Sequence, residues 1–150
     1  MKKFKYKIEQ RNKFLDKLGL KPHEYGVNFT YTNEKKKRKK QWKKERELYG
    51  FDSRETWCLN SIFAQWLYSH CKMYLKEASK IVDLSYYKFE YNGKTYTQEE
   101  AIKKIIKWTG YYIKHEDDWT EDDTSKYNKA QIVMKKAIEL WAIIFPCMWW

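Results

Sequence analysis

The residues with most chemistry to offer run from 35 to 46, Lys-Lys-Lys-Arg-Lys-Lys-Gln-Trp-Lys-Lys-Glu-Arg, nine cations in twelve positions. Guanidinium and ammonium groups at this density suit phosphate, Arg as a planar fork and Lys as a point charge. Left unmatched, they repel one another and raise the cost of folding, and an anionic partner would relieve both effects. The candidate phosphate ligands are Lys35, Lys36, Arg38, Lys39, Lys40, Lys43, Lys44 and Arg46. Trp42, with Tyr31 and Tyr49 close by, adds rings able to stack on bases. Arg54 and Trp57 join the set because they stand at the start of an expected helix, whose first amides attract anions.

A second charged cluster has the opposite sign. His115-Glu116-Asp117-Asp118-Trp119-Thr120-Glu121-Asp122-Asp123 brings six carboxylates and an imidazole together. Such hard ligands suit Mg²⁺ or Ca²⁺, and a metal-dependent nuclease or phosphodiesterase would draw on Asp117, Asp118, Asp122 and Asp123. The spacing is not that of an EF-hand, and no second acidic cluster completes a two-metal centre. A charge-balancing connector is the favoured reading. His70 and Cys71 are neighbours on one expected helix, pointing about 100° apart, which makes a poor thiol–imidazole pair. There is no HExxH, no serine elbow, no glycine-rich phosphate loop and no zinc spacing. The sequence reads as a non-enzyme that needs neither metal nor cofactor.

The cations are segregated. Residues 1–46 hold 17 Lys and Arg against 5 Asp and Glu, whereas the other 104 hold 14 against 15. Aromatic residues make up 19% of the 150, enough to build a core and to exclude a disordered chain. One domain is expected, a basic N-terminal third (1–49) packed on a helical core (50–150). The three cysteines, Cys58, Cys71 and Cys147, form no CxxC pair. Cys58 and Cys71 lie thirteen residues apart on one expected helix, about 20 Å in rise and too far to bridge. Reduced thiols, with no signal peptide in Met1–Lys7, predict a cytoplasmic protein away from membranes.

The elements that must position these groups are mainly helices. Apolar spacing predicts a helix over 4–18, and 25–32 alternate as a short strand. Asn33 is expected to cap the basic helix, which runs to about Leu48 and stops at Tyr49-Gly50. Consecutive cations point all round that helix, leaving only a thin docking seam at Trp42, Leu48 and Tyr49. Asp52-Ser53-Arg54-Glu55 reads as a capping box opening a long helix over 53–79. Its core face is expected at Leu59, Ile62, Phe63, Trp66, Leu67, His70, Met73 and Tyr74. Alternation about Asn92-Gly93 predicts a hairpin with a type I′ turn. Thr97-Gln98-Glu99-Glu100 is a second capping box, starting a helix over 98–114 with Ile102, Ile105, Ile106, Thr109 and Ile113 inward. A last helix over 126–145 turns Ala130, Met134, Ala137, Trp141, Ile144 and Phe145 inward, and Pro146 ends it. The expected fold is mainly α, about five helices with one small β-hairpin.

The segment Leu48-Tyr49-Gly50-Phe51-Asp52-Ser53-Arg54-Glu55-Thr56-Trp57-Cys58-Leu59-Asn60 resembles one found in a family of small tailed-bacteriophage proteins. In that family a basic stretch with a Trp leads into Gly-aromatic-Asp-x-Arg-x-Thr-Trp-x-Leu and an apolar helix. The likeness covers residues 40–113 and the tail, and its specific part is Gly50 to Leu59. Asn60 stands where the family has Asp, and no Pro-Arg-Leu pattern occurs near Ser69-His70-Cys71. The resemblance implies phage origin and, by association, an accessory or counter-defence role.

Charge and resemblance together predict a binding protein that antagonises a host defence by sequestering a phosphate-bearing ligand such as a cyclic nucleotide, closing the pocket as a homo-oligomer. A nucleic-acid-binding accessory protein, or an inhibitor of a nucleic-acid effector, is the alternative. A structural role, with Trp149-Trp150 and the acidic segment as oligomer contacts, is a third.

Overall fold

The computed structural model describes residues 32–49, 52–56, 58–121 and 123–149, without the side chains of 32–36, 46, 54 and 55. The helix expected over 4–18 and strand residues 25–31 lie outside them, as does Trp57. The described elements are α1 (Thr32–Tyr49), a 3-10 turn (Ser53–Thr56), α2 (Leu59–Ala78), β1 (Lys88–Tyr91), β2 (Lys94–Thr97), α3 (Gln98–His115), α4 (Ser125–Ile144) and a final 3-10 turn (Phe145–Cys147). The chain divides into two compact units, Met1–Ile62 and Phe63–Trp150. The architecture is mainly helical with one two-stranded antiparallel hairpin.

In the first unit α1 begins at Thr32, so Thr32 is helical instead of extended. Asn33 therefore lies in the first turn of α1 rather than capping it. The long helix expected from residue 53 is broken. Ser53–Thr56 form a 3-10 turn in which Thr56 Oγ1 donates to the Ser53 carbonyl at 2.7 Å, and the α-helix starts six residues late, at Leu59. Ser53's own N–H is drawn away, donating to Glu45 Oε2 at 2.8 Å. A tightened first turn results from satisfying that amide outside the helix.

The second unit is built on α3 and α4, which pack along each other. Gln98, Ala101, Ile102, Ile105, Thr109 and Tyr112 are buried on α3 at helical spacing; Ala130, Met134, Ala137, Leu140 and Ile144 answer from α4. From α2, Leu67 and Cys71 enter the same core as Ile102, Ile105, Leu140 and Ile144, while Ala64 joins Tyr112, Ala130 and Met134 in a smaller cluster. Full burial of a Leu or Ile is worth about 1.5–3 kcal/mol, so these few aliphatics outweigh any surface pair. Gly110 belongs where it is: a Cβ there would stand 2.9 Å from the Tyr68 ring.

The hairpin forms as its sequence predicts. Asn92 (φ 50°) and Gly93 (φ 69°) supply the two left-handed residues of a type I′ turn, and Phe89 pairs with Tyr96. Tyr91 ties the hairpin to α4, its hydroxyl donating to Glu139 Oε2 at 2.7 Å. Burial and that carboxylate push the phenol up to about 12. The Thr97 capping box is complete: Thr97 Oγ1 accepts from the Glu100 N–H at 3.2 Å, and Glu100 Oε2 from the Thr97 N–H at 2.9 Å.

Two expected faces are corrected. On α2, Leu59, Trp66, His70 and Met73 are exposed, and the buried positions are Ser61, Ala64, Gln65, Leu67, Ser69, Cys71 and Ala78. The small residues of α2 turn inward, where Ala64 lies against Tyr112 and Ala130. On α4, Leu140 is buried, Trp141 is half-buried and Phe145 is exposed.

Candidate functional site

The basic helix has two faces. At about 100° per residue, Lys37, Lys39, Lys40, Lys43 and Lys44 fall within an arc of about 160°. All five are exposed. Arg38, Trp42 and Glu45 recur at i, i+4 and i+7 on the other side, where Trp42 is 7% exposed and its two companions are half-buried. The expected docking seam is present at Trp42, whereas Leu48 and Tyr49, expected to share it, are exposed. A Trp-centred stripe gives α1 an inner side, and the five described lysines sort to the outer one.

The inner stripe supplies its own polar partners. Glu45 accepts from Gln41 Nε2 at 2.7 Å as well as from the Ser53 N–H. The backbone N–H above all, and the amide after it, hold the carboxyl below its ordinary 4.5. This acid is therefore committed to the turn after α1. Among the described residues, none of the five outer lysines carries an ion pair, hydrogen bond or ring contact. Glu47, also exposed, is the one described acid on their arc.

Of the residues singled out from sequence, Lys39, Lys40, Lys43 and Lys44 come together on the outer arc. Trp42 does not. Its ring is buried, so it cannot lie on a base, and the stacking role expected of it is withdrawn. Arg38 is half-buried on the inner side and is engaged by a partner. Lys35, Lys36 and Arg46 belong to α1 and Arg54 to the 3-10 turn, but their side chains, like Trp57, lie outside the described residues. The α-helix N-terminus proposed to act with Arg54 lies farther on, at Leu59. Lys37 was not singled out, although its i, i+3, i+7 relation to Lys40 and Lys44 places it on the same arc.

The acidic connector is occupied locally. His115 Nδ1 lies 2.7 Å from Asp118 Oδ2, and this contact, more than nearby Lys126 and Lys114, lowers the Asp118 carboxyl. Asp123 Oδ1 accepts from the Ser125 N–H at 2.8 Å, and Thr120 Oγ1 closes the loop, accepting from the Asp123 N–H at 2.9 Å and donating to the Asp123 carbonyl at 3.2 Å. Among the described residues no group of three His, Cys, Asp or Glu is placed to hold a metal ion. Cys71 is buried, and desolvation raises its thiol to about 12. His70 faces outward with Nδ1 donating to the Trp66 carbonyl at 2.8 Å, which leaves Nε2 as the acceptor when the ring is neutral. All three cysteines are free thiols.

A groove of about 360 Å³ in the second unit was not foreseen; Trp66, Met73, Tyr74, Trp141, Phe145 and Met148 line it, with Glu77 at its edge. Trp66 and Trp141 meet edge to face at 6.3 Å, and His70 stacks on Trp66 at 4.3 Å. Glu77, which also lines the groove, is paired with Lys80 and Lys76. No described helix is long and apolar enough to cross a membrane. Comparison with protein-family models, curated proteins and solved structures finds no match to this chain.

Proposed function

We propose that the chain is a non-catalytic binding protein for phosphate-bearing polymers, nucleic acid foremost, and that α1 is its contact surface. The observation that carries this reading is the arc of five exposed lysines, none with a partner of its own among the described residues. Cations spread along about 10.5 Å of helix axis, at 1.5 Å per residue, match a repeating charge better than a single mononucleotide. Sequestration of a cyclic nucleotide draws support from the lysines alone, because buried Trp42 leaves no described ring on that arc to hold the base.

Binding of this kind is driven by release of counterions, and its salt dependence counts the phosphates neutralised. Five contacts on duplex DNA predict a log–log slope of about −4.5, a loss of roughly 500-fold between 50 and 200 mM salt. Fluorescence anisotropy of a labelled duplex measures this directly. Replacing all five lysines with Gln is expected to abolish binding while leaving the far-UV circular dichroism unchanged. Undiminished affinity in that variant would remove α1 from the function.

A further inference from the structure

The five lysines do not form one row. Lys39 and Lys43, one turn apart, make a file along one flank of the outer face. Lys37, Lys40 and Lys44 make a second file, about 110° further round the axis at 100° per residue. Among the described residues no ring lies between or beneath them, and Glu47, one turn beyond Lys43, is the one carboxylate between the two files. Trp42 is buried, Tyr49 lies on the opposite side, and Gln41 Nε2 donates to Glu45. From this arrangement, and resting on the polyanion reading above, we infer that α1 straddles two phosphate rows, so that the chain selects double-stranded over single-stranded nucleic acid without regard to sequence.

The dimensions agree. A helix with its side chains is about 10–12 Å across, and the major groove of B-form DNA is about 12 Å wide, with a phosphate row on each bank. Lys39 and Lys43 then serve one bank while Lys37 and Lys44 serve the other. Phosphate contacts fix position without carrying sequence information. A single strand presents one row, leaving one file idle, and is ordinarily held by aromatic platforms, of which this face has none among the described residues. The groove of A-form RNA is deep and narrow, so duplex DNA is the better fit.

The test compares a duplex of about 20 base pairs, an unrelated duplex of equal length, and each separated strand, titrated against the full chain between 50 and 200 mM salt. Both duplexes are expected to bind alike, and at least about tenfold tighter than either strand. Two double variants, Lys39→Gln/Lys43→Gln and Lys37→Gln/Lys44→Gln, are each expected to make the duplex slope shallower by about 1.8, which is 0.9 per phosphate lost. Strands that bind as tightly as duplex, or a slope that responds to one pair only, would overturn the two-row arrangement and leave polyanion binding standing. Absence of binding to any of the four probes at 50 mM salt would overturn both.

Discussion

Gln98 is the residue on which three elements of the second unit converge. It opens α3, a position where a polar side chain ordinarily faces water, yet it is 3% exposed. Its Nε2 donates to the Cys147 carbonyl at 2.8 Å and to the Tyr74 hydroxyl at 3.1 Å. The start of α3, the end of the chain and α2 are thereby joined through one amide. Burial raises the Tyr74 phenol, and the contact from Gln98 partly offsets that. Gln98→Ala removes the donor and strands the Cys147 carbonyl, which costs about 1–3 kcal/mol, while the Tyr74 hydroxyl keeps its bond to the Trp149 carbonyl. Urea unfolding should show a lower midpoint at unchanged m. A midpoint unmoved by the substitution would mean that water replaces the amide without loss. Trp42 poses the same question of burial from the other side. Amid nine cations its neighbours suggest a ligand-facing ring, but a large apolar ring is worth more when removed from water.

At the scale of elements, the junction after α1 depends on one carboxylate in its charged form. Glu45 accepts the Ser53 N–H, and its folded pKa lies below the ordinary 4.5. A depressed carboxyl contributes its stabilisation fully above the unfolded value and loses it as pH falls through the folded one. The turn following α1 should therefore hold above about pH 4.5 and loosen below it, seen as a titration of the Ser53 amide resonance. In Glu45→Gln that titration should vanish. A Ser53 amide indifferent to pH in the native chain would break the link. Elements governed by local rules were legible beforehand: Asn92-Gly93 fixed its turn, and Thr97 with Glu100 fixed the start of α3. The start of α2 was not, because Ser53's amide is claimed by Glu45, eight residues away, which no local pattern announces. The buried side of α2 was missed for a different reason. Large apolar residues dominate periodicity, whereas Ala64, Cys71 and Ala78 are chosen by how closely neighbouring helices approach. The inner side of α1 was legible at Trp42 alone, because periodicity points to apolar Leu48 and Tyr49 as its companions, whereas polar Arg38 and Glu45 take that place.

Across the whole molecule, net charge is +11, with +12 in residues 1–46 and −1 in the rest. Against the five described lysines on the outer face of α1 stands one described acid, Glu47, so the cations repel one another wherever solvent does not screen them. Self-repulsion of this kind destabilises the folded chain and relaxes when a polyanion arrives, which couples stability to binding. Added salt should do part of the same work, because screening shortens to about 10 Å at 0.1 M. The Tm of the free protein is therefore expected to rise between low and moderate ionic strength. The rise should be smaller in Lys39→Gln/Lys43→Gln, and that variant should be at least as stable as the native chain in low salt. Lysines matched by carboxylates would behave oppositely, with salt weakening the pairs, Tm falling and each substitution costing stability. One thermal series at two ionic strengths thus decides whether the lysine face is a strained surface held ready for a partner or a settled part of the fold.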